Sequence, residues 1–223
     1  MGFGAGLRRM GRMDRSTPAR HTERGAVDVD GGWGAPSAGP GPIALIVPGW
    51  RGSGHGHWQS LWAQQLPGAR RVEQEDWHHP TRAAWVGGIE RGVLAAGGPV
   101  VLVAHSLGCI AAVHLAPEVA CRVHAALLVA PADPERRATF QDFAPVPSQP
   151  LPYRSIVVAS GNDRHCPPRL ASAYARAWGS EFFRLPEAGH INVESGHGDW
   201  PLGLALLQSL MGVQAASPLP IAI

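Results

Sequence analysis

The feature that most constrains the fold is an apolar run that leads directly into a His-Ser-Leu-Gly turn. Residues 100–104 read Val-Val-Leu-Val-Ala, and His105-Ser106-Leu107-Gly108 follows at once. A short continuous apolar run bounded by turn residues is typical of a strand buried on both faces. The almost wholly apolar segment from Cys109 to Ala116 predicts a buried helix. A serine at such a junction is the nucleophile-elbow arrangement, which exposes its hydroxyl beside the N-terminus of the helix.

The pentapeptide around Ser106 departs from the usual G-x-S-x-G pattern at one position. Ala104 stands where the first glycine is expected, and Gly108 keeps the last. Alanine is the smallest replacement for glycine, so the strand and the helix can still pack closely. The pattern predicts Ser106 as a nucleophile, which needs a base and an orienting carboxylate from elsewhere in the chain.

Predicted strands and helices alternate from residue 43 to residue 213. Besides the strand before Ser106, strands are predicted over residues 43–47, 69–73, 124–129, 155–159 and 181–185. Besides the helix after Gly108, helices are predicted over residues 57–66, 81–95, 168–178 and 200–211. The alternation predicts an α/β fold with a doubly wound, mostly parallel six-stranded sheet. Right-handed crossovers then place the carboxyl ends of the strands at one edge, where ligands bind.

The two ends of the chain differ from this central domain. Residues 1–42 are rich in Arg, Gly and Pro and lack apolar periodicity, so we expect a disordered N-terminal extension. Met10 and Met13 are alternative starts within it. We expect the α/β domain to cover residues 43–213 and a short C-terminal tail to cover residues 214–223.

Charge and composition exclude several functions. The 223-residue chain has no lysine, which excludes Schiff-base and P-loop lysine chemistry. Residues 43–223 contain thirteen arginines and thirteen acidic residues, so the domain offers no basic surplus for nucleic acid. No apolar run reaches the roughly 18 residues of a membrane span, and three cysteines form no even disulfide framework. We therefore expect a cytoplasmic protein without nucleic-acid or membrane partners, and a monomer is the simplest oligomeric state.

The base and the acid are expected after later strands, in the order serine, acid, histidine. His190 follows the strand over residues 181–185 and is the best candidate for the base. Asp163, in a Gly-Asn turn after the strand over residues 155–159, is the favoured acid. Asp133 is the alternative, although it precedes a proline and therefore also fits a turn or a helix start.

An oxyanion hole and a substrate pocket are also predicted. The backbone N–H groups of Leu107 and Trp50 are the candidate oxyanion donors, because the second donor comes from the loop after the first buried strand. The proline-rich segment 131–154 predicts a long loop over one end of the sheet. Phe140 and Phe143 in this loop, with Trp50, predict a pocket for short apolar acyl groups.

A metal site is the weaker interpretation of the histidine-rich segments. His55 and His57 are separated by one residue, and His78-His79 are adjacent. No cysteine or acidic residue completes a convincing ligand set at the usual spacing. We therefore expect no metal in the site, and a metal-dependent hydrolase remains only as an alternative.

Several longer blocks make the chain resemble a known family. They are Val47-Pro48-Gly49-Trp50, His57-Trp58-Gln59-Ser60-Leu61-Trp62, Ala104-His105-Ser106-Leu107-Gly108, Ser160-Gly161-Asn162-Asp163 and Gly189-His190-Ile191-Asn192. With these blocks, residues 43–211 resemble the compact α/β-hydrolases related to retinoblastoma-binding protein 9 and the bacterial YdeN-like serine hydrolases. The resemblance implies an α/β-hydrolase fold without a cap domain. It also implies Ser106, Asp163 and His190 as nucleophile, acid and base.

The resemblance further implies a cofactor-free hydrolase of small esters or amides that acts through an acyl-enzyme. The competing hypothesis is a non-catalytic binding protein on a hydrolase fold. It predicts that replacing Ser106 leaves partner binding intact. The presence of all three candidate catalytic residues favours the enzyme, because degeneration usually removes at least one of them.

Overall fold

The sheet of the protein contains six strands, all parallel, in the spatial order β2-β1-β3-β4-β5-β6. A computed structural model describes residues 41–212. The strands are β1 (Ile43–Val47), β2 (Arg70–Arg71), β3 (Val100–His105), β4 (Val123–Val129), β5 (Arg154–Ser160) and β6 (Glu181–Leu185). The predicted parallel α/β sheet is therefore confirmed. Apart from residues 41 and 42, both predicted tails lie outside the described residues.

Helices cover both faces of this sheet. They are α1 (Trp58–Gln65), α2 (Arg82–Leu94), α3 (Leu107–Ala112), α4 (Pro117–Ala120), α5 (Pro168–Trp178) and α6 (Pro201–Leu210). Alternate residues of the strands belong to opposite cores, because successive side chains of a strand point to opposite faces. In β1, Leu45 packs with α2 and α3, whereas Ile46 packs with α1 and α6. The longest described helix has 13 residues, and none combines the length and hydropathy of a membrane span.

The helix after Ser106 is shorter than predicted. The helix was expected from Cys109 to Ala116, but α3 ends at Ala112, and a separate short helix, α4, begins at Pro117. Proline has no N–H to donate and favours the first position of a helix, and it forces the preceding residue out of helical geometry. Ala116 accordingly has ψ 142°. Hydrophobicity alone could not locate this break.

Two further predictions need correction. The second strand was expected over residues 69–73, but only Arg70 and Arg71 pair with β1. The segment between β4 and β5 was expected to be a long loop, and it contains two 3-10 helices, Pro134–Arg136 and Ala138–Phe143. No connection within residues 41–212 carries an inserted cap domain. The carboxyl ends of β1, β3, β4 and β5 therefore remain open at one edge of the sheet.

Candidate active site

Ser106 occupies a strained turn between β3 and α3. Its backbone has φ 55° and ψ −122°, a conformation that costs a non-glycine residue about 1–3 kcal/mol. Three backbone hydrogen bonds hold the turn, one of them from the Ala132 N–H to the Ser106 carbonyl at 3.2 Å. The Ser106 N–H donates to the Val129 carbonyl at 2.9 Å, and the Ser106 carbonyl accepts from the Cys109 N–H at 3.0 Å. Pairing with the neighbouring strand β4 thus supports the strained residue at the edge where ligands bind.

Two glycines allow the chain to pack tightly around this turn. A Cβ at Gly49 would lie 2.8 Å from the Ser106 Cβ, and a Cβ at Gly108 would lie 2.6 Å from the carbonyl oxygens of Val47 and Pro48. Ala104, which replaces the first glycine of the usual pattern, is fully buried in the core. A methyl group therefore fits at the first position, whereas nothing larger than hydrogen fits at the last.

The structure brings Ser106, His190 and Asp163 into one hydrogen-bonded chain. His190 Nε2 lies 2.9 Å from Ser106 Oγ, and His190 Nδ1 lies 2.9 Å from Asp163 Oδ2. The side chain of Asp163 is 2% exposed and that of His190 is 14% exposed. The other carboxylate oxygen of Asp163 accepts the His165 N–H at 2.8 Å. Both carboxylate oxygens are therefore held, and the imidazole is oriented towards the serine.

Asp133, the alternative acid, is engaged elsewhere. Its Oδ1 accepts the Glu135 N–H at 3.1 Å and so caps a 3-10 helix, while its Oδ2 lies 3.5 Å from Arg136 Nε. This is the helix-start role that Asp-Pro suggested in the sequence. Asp163, and not Asp133, contacts His190.

The backbone of the His190 loop is held by groups from three other segments. His105 Nε2–H donates to the His190 carbonyl at 2.9 Å, and Trp58 Nε1–H donates to the Ile191 carbonyl at 2.9 Å. Asn162 Oδ1 accepts the N–H of Gly189, at 2.7 Å. His105 and Trp58 were not among the predicted site residues. Their place in the family-like sequence blocks, beside Ser106 and Gln59, was the available signal.

Gln59 is a third residue that sequence reasoning missed. Its side-chain amide is fully buried and donates to the carbonyls of Val47 at 3.0 Å and Val103 at 2.9 Å, while its oxygen accepts from Ser53. These carbonyls lie near the carboxyl ends of β1 and β3. Gln59 thus links the two strands that lead to the predicted oxyanion loop and to Ser106. A glutamine placed between two tryptophans of one helix was the only sequence signal.

The imidazoles around His190 are held in the neutral form. Burial lowers the pKa of His57 from 6.5 to about 4, with the nearby His190 and Arg71 acting in the same direction. Burial also lowers the pKa of His105 well below its usual value, and that of His165 to a smaller extent. The neutral His57 Nδ1 accepts the Gln59 N–H at 3.1 Å and caps α1. A proton that arrives in this cluster is therefore disfavoured on His57 and His105.

The two predicted oxyanion donors come from the residue after Ser106 and from the loop that packs against it. Leu107 is the first residue of α3, and Trp50 follows Gly49 in the loop after β1. Within residues 41–212, neither backbone N–H has a hydrogen-bond acceptor. The described part of the chain therefore leaves both donors available to an oxygen atom of a ligand at the serine.

A cavity of about 1040 Å³ opens beside Ser106 and His190. Trp50 and Phe140 line it, with their rings 5.6 Å apart and edge to face. Phe143 was predicted to line the pocket, and this prediction is wrong. Its side chain is fully buried against Trp85 in the core. The two phenylalanines lie on one 3-10 helix but have different surroundings. The sequence predicted only a loop here, so it could not distinguish them.

The lining also corrects the expectation of an apolar pocket. Four arginines are among its lining residues, Arg51, Arg136, Arg137 and Arg164. Among the described residues, no group of three histidine, cysteine or acidic side chains is arranged to hold a metal ion. His57 caps α1, and His79 Nδ1 pairs with Asp76 at 3.0 Å on the surface.

Comparisons with known proteins support the fold and identify a family. The family model described as serine hydrolase matches residues 44–209. A YdeN-like hydrolase from Pectobacterium atrosepticum is 35% identical, with a TM-score of 0.71, over 77% of this chain and 92% of that one. The ydeN gene product of B. subtilis is 19% identical, with a TM-score of 0.63, over 77% and 99% of the two chains.

More distant structures share the fold alone. Thermogutta terrifontis esterase 2 is 18% identical, with a TM-score of 0.58, over 79% of this chain and 85% of that one. No protein of curated function matches the chain significantly.

Proposed function

Because the chain belongs to the serine hydrolase family, as a YdeN-like member, we propose that it cleaves small esters or amides through an acyl-enzyme on Ser106. His190 is the general base and Asp163 orients it. One observation carries the proposal: two consecutive contacts of 2.9 Å join the serine hydroxyl, the imidazole and the carboxylate. This is the connectivity that activates an otherwise weak serine nucleophile.

The first half of the proposed reaction forms the acyl-enzyme. His190 Nε2 takes the hydroxyl proton as Ser106 Oγ attacks the substrate carbonyl carbon, and Asp163 stabilises the imidazolium. The N–H groups of Trp50 and Leu107 donate to the oxyanion of the tetrahedral intermediate, where loss of one donor costs about 3–4 kcal/mol. His190 then returns the proton to the leaving alcohol or amine as its bond to the carbonyl carbon breaks.

The second half releases the acid. His190 removes a proton from a water molecule, whose oxygen attacks the acyl carbon, and the ester bond to Ser106 breaks as Oγ regains a proton. The neutral state of His57 and His105 supports this cycle. Because His57 and His105 bind protons weakly, His190 is the base that serves Ser106. The two neutral rings also add no positive charge that would oppose protonation of His190. Every proposed role falls on a side chain or a backbone N–H, so the reaction as proposed needs no cofactor.

A fluorophosphonate probe tests the nucleophile directly. We expect the protein to be labelled on Ser106 and the Ser106→Ala variant to remain unlabelled while it stays folded. Ser53, which bonds Gln59 in the buried layer beside the site, supplies the control position: Ser53→Ala should still be labelled. A folded wild-type protein that never reacts with the probe would contradict the proposed function and favour a non-catalytic binding protein.

A further inference from the structure

Positive charge dominates the cavity beside Ser106. Four of its lining residues, here called the arginine rim, are Arg51, Arg136, Arg137 and Arg164. Of the described residues that line the cavity, two carry a carboxylate, Asp133 and Glu194. The formal charge of the lining is therefore positive while its histidines are neutral. The domain as a whole is neutral over residues 43–223, so the positive charge is a local property of this cavity.

An aromatic surface holds two members of the rim in place. The Arg51 Cζ lies 4.1 Å from the centre of the Trp50 ring, and the Arg137 Cζ lies 5.2 Å from the same ring. The indole is itself fixed, because its Nε1–H donates to the His78 carbonyl at 3.0 Å. Guanidinium planes that rest on a fixed ring lose less conformational freedom when they bind a ligand.

Three of the four arginines in the rim have no ion-pair partner among the described residues. Arg136 is used within the structure: it pairs with Asp133 at 3.5 Å and donates to the Arg164 carbonyl at 3.0 Å. Within residues 41–212, no carboxylate forms an ion pair with Arg51, Arg137 or Arg164. Arg51, Arg137 and Arg164 thus line a ligand-sized cavity and have no anionic partner among the described residues.

From this arrangement we infer that the arginine rim selects esters or amides that carry a carboxylate, which it binds while Ser106 attacks the scissile carbonyl. The inference rests on the proposed function and names its substrate class. A guanidinium offers paired N–H donors in the geometry that a carboxylate accepts. The positive cavity also attracts anionic substrates from solution, an effect that salt weakens. The rim thus replaces the apolar acyl site expected from the sequence.

Two nitrophenyl esters of equal acyl length test the inference. Nitrophenyl hexanoate is neutral, and the mono-nitrophenyl ester of adipic acid ends in a carboxylate. We expect kcat/KM to be higher for the adipate ester by about tenfold, the effect of one charge-assisted hydrogen bond at a partly exposed site. The preference should decrease as salt is raised from low to physiological concentration.

Variants locate the preference in the rim. Arg137→Gln should raise KM for the adipate ester several-fold and so reduce the ratio of kcat/KM for the adipate ester to kcat/KM for the hexanoate ester. Arg122→Gln removes the same charge before β4, at the opposite edge of the sheet, and should retain the preference. Thermal unfolding of each variant establishes that it is folded.

The outcomes separate this inference from the function on which it rests. A wild-type enzyme that hydrolyses both esters equally, or prefers hexanoate, contradicts selection of an anion and leaves the serine hydrolase intact. An adipate preference that survives Arg137→Gln and Arg164→Gln together contradicts the role of the rim. If neither ester is hydrolysed and the fluorophosphonate probe does not react, the proposed function itself fails.

Discussion

Two regions beside His190 differ in burial and in charge. The tryptophan cluster, Trp58, Trp62 and Trp200, lies beneath the loop that carries His190 and is at most 5% exposed. Its rings contact one another at centroid distances of 4.7–6.0 Å. The arginine rim consists of exposed residues at the same site, and the guanidinium groups of Arg51 and Arg137 lie over the Trp50 ring.

The difference separates positioning from recognition. The tryptophan cluster contributes one hydrogen bond, from Trp58 to the Ile191 carbonyl, and a close-packed base that leaves the His190 loop few alternative conformations. The rim contributes charge at a surface that a ligand can reach. We therefore expect changes on the buried side to alter stability and kcat, and changes at the rim to alter KM for charged substrates.

The largest expected effect distinguishes the two aspartates that the sequence offered. Asp163→Asn should lower kcat about 10³- to 10⁴-fold, because the amide orients the wrong tautomer of His190 and cannot stabilise its positive charge. Asp133→Asn, the matched change at the cavity wall, should lower kcat less than tenfold. Steady-state kinetics with a nitrophenyl ester measures both. Equal losses in the two variants would contradict the assignment of Asp163.

The second effect is a dependence of stability on pH that originates on the buried side. His57 has a pKa of about 4 in the folded protein and near 6.5 when unfolded. The unfolded chain therefore binds the proton first, and stability falls as pH decreases from about 6.5 to 4. The change amounts to roughly 2–3 kcal/mol by pH 4.5.

His57→Asn isolates this contribution. Asparagine keeps an oxygen that can cap α1 but has no titrating group in this range. Urea unfolding at pH 7.5 and pH 4.5 should show that the wild type loses roughly 2–3 kcal/mol more than the variant. Parallel losses in the two proteins would show that His57 is not held neutral by the fold.

The smallest effect compares the two regions directly. Trp58→Phe removes the indole N–H and leaves the Ile191 carbonyl without its partner, so it should destabilise the protein by about 1–2 kcal/mol and lower kcat. Arg137→Gln should change the free energy of unfolding by less than about 0.5 kcal/mol, as usual for an exposed substitution. Denaturant titration of both variants checks the difference. A larger loss for Arg137→Gln would reverse the contrast between the regions.

Sequence patterns predicted those parts of the site that depend on local signals. Ser106, Asp163 and His190 each follow a strand with a recognisable apolar run, and the parallel α/β order places such positions at one edge. The helix over residues 168–178 and the strand over residues 181–185 agree residue for residue with the structure.

The features of the site that the sequence did not predict depend on contacts between segments far apart in the chain. Gln59 bonds carbonyls 12 and 44 residues away, which no local pattern encodes. The arginine rim combines the loop after β1, the 3-10 helices after β4 and the turn after β5. Phe143 was assigned to the pocket because both phenylalanines of the segment are apolar, and only packing decides which one is buried in the core.

The central claim is that Ser106 forms the acyl-enzyme, and trapping that intermediate tests it most directly. The protein is mixed with a nitrophenyl ester, quenched with acid and measured as an intact mass, followed by peptide mapping. The account predicts a mass increase of one acyl group, located on Ser106 and absent from Ser106→Ala. An acyl group found on another residue, or retained by Ser106→Ala, would contradict it.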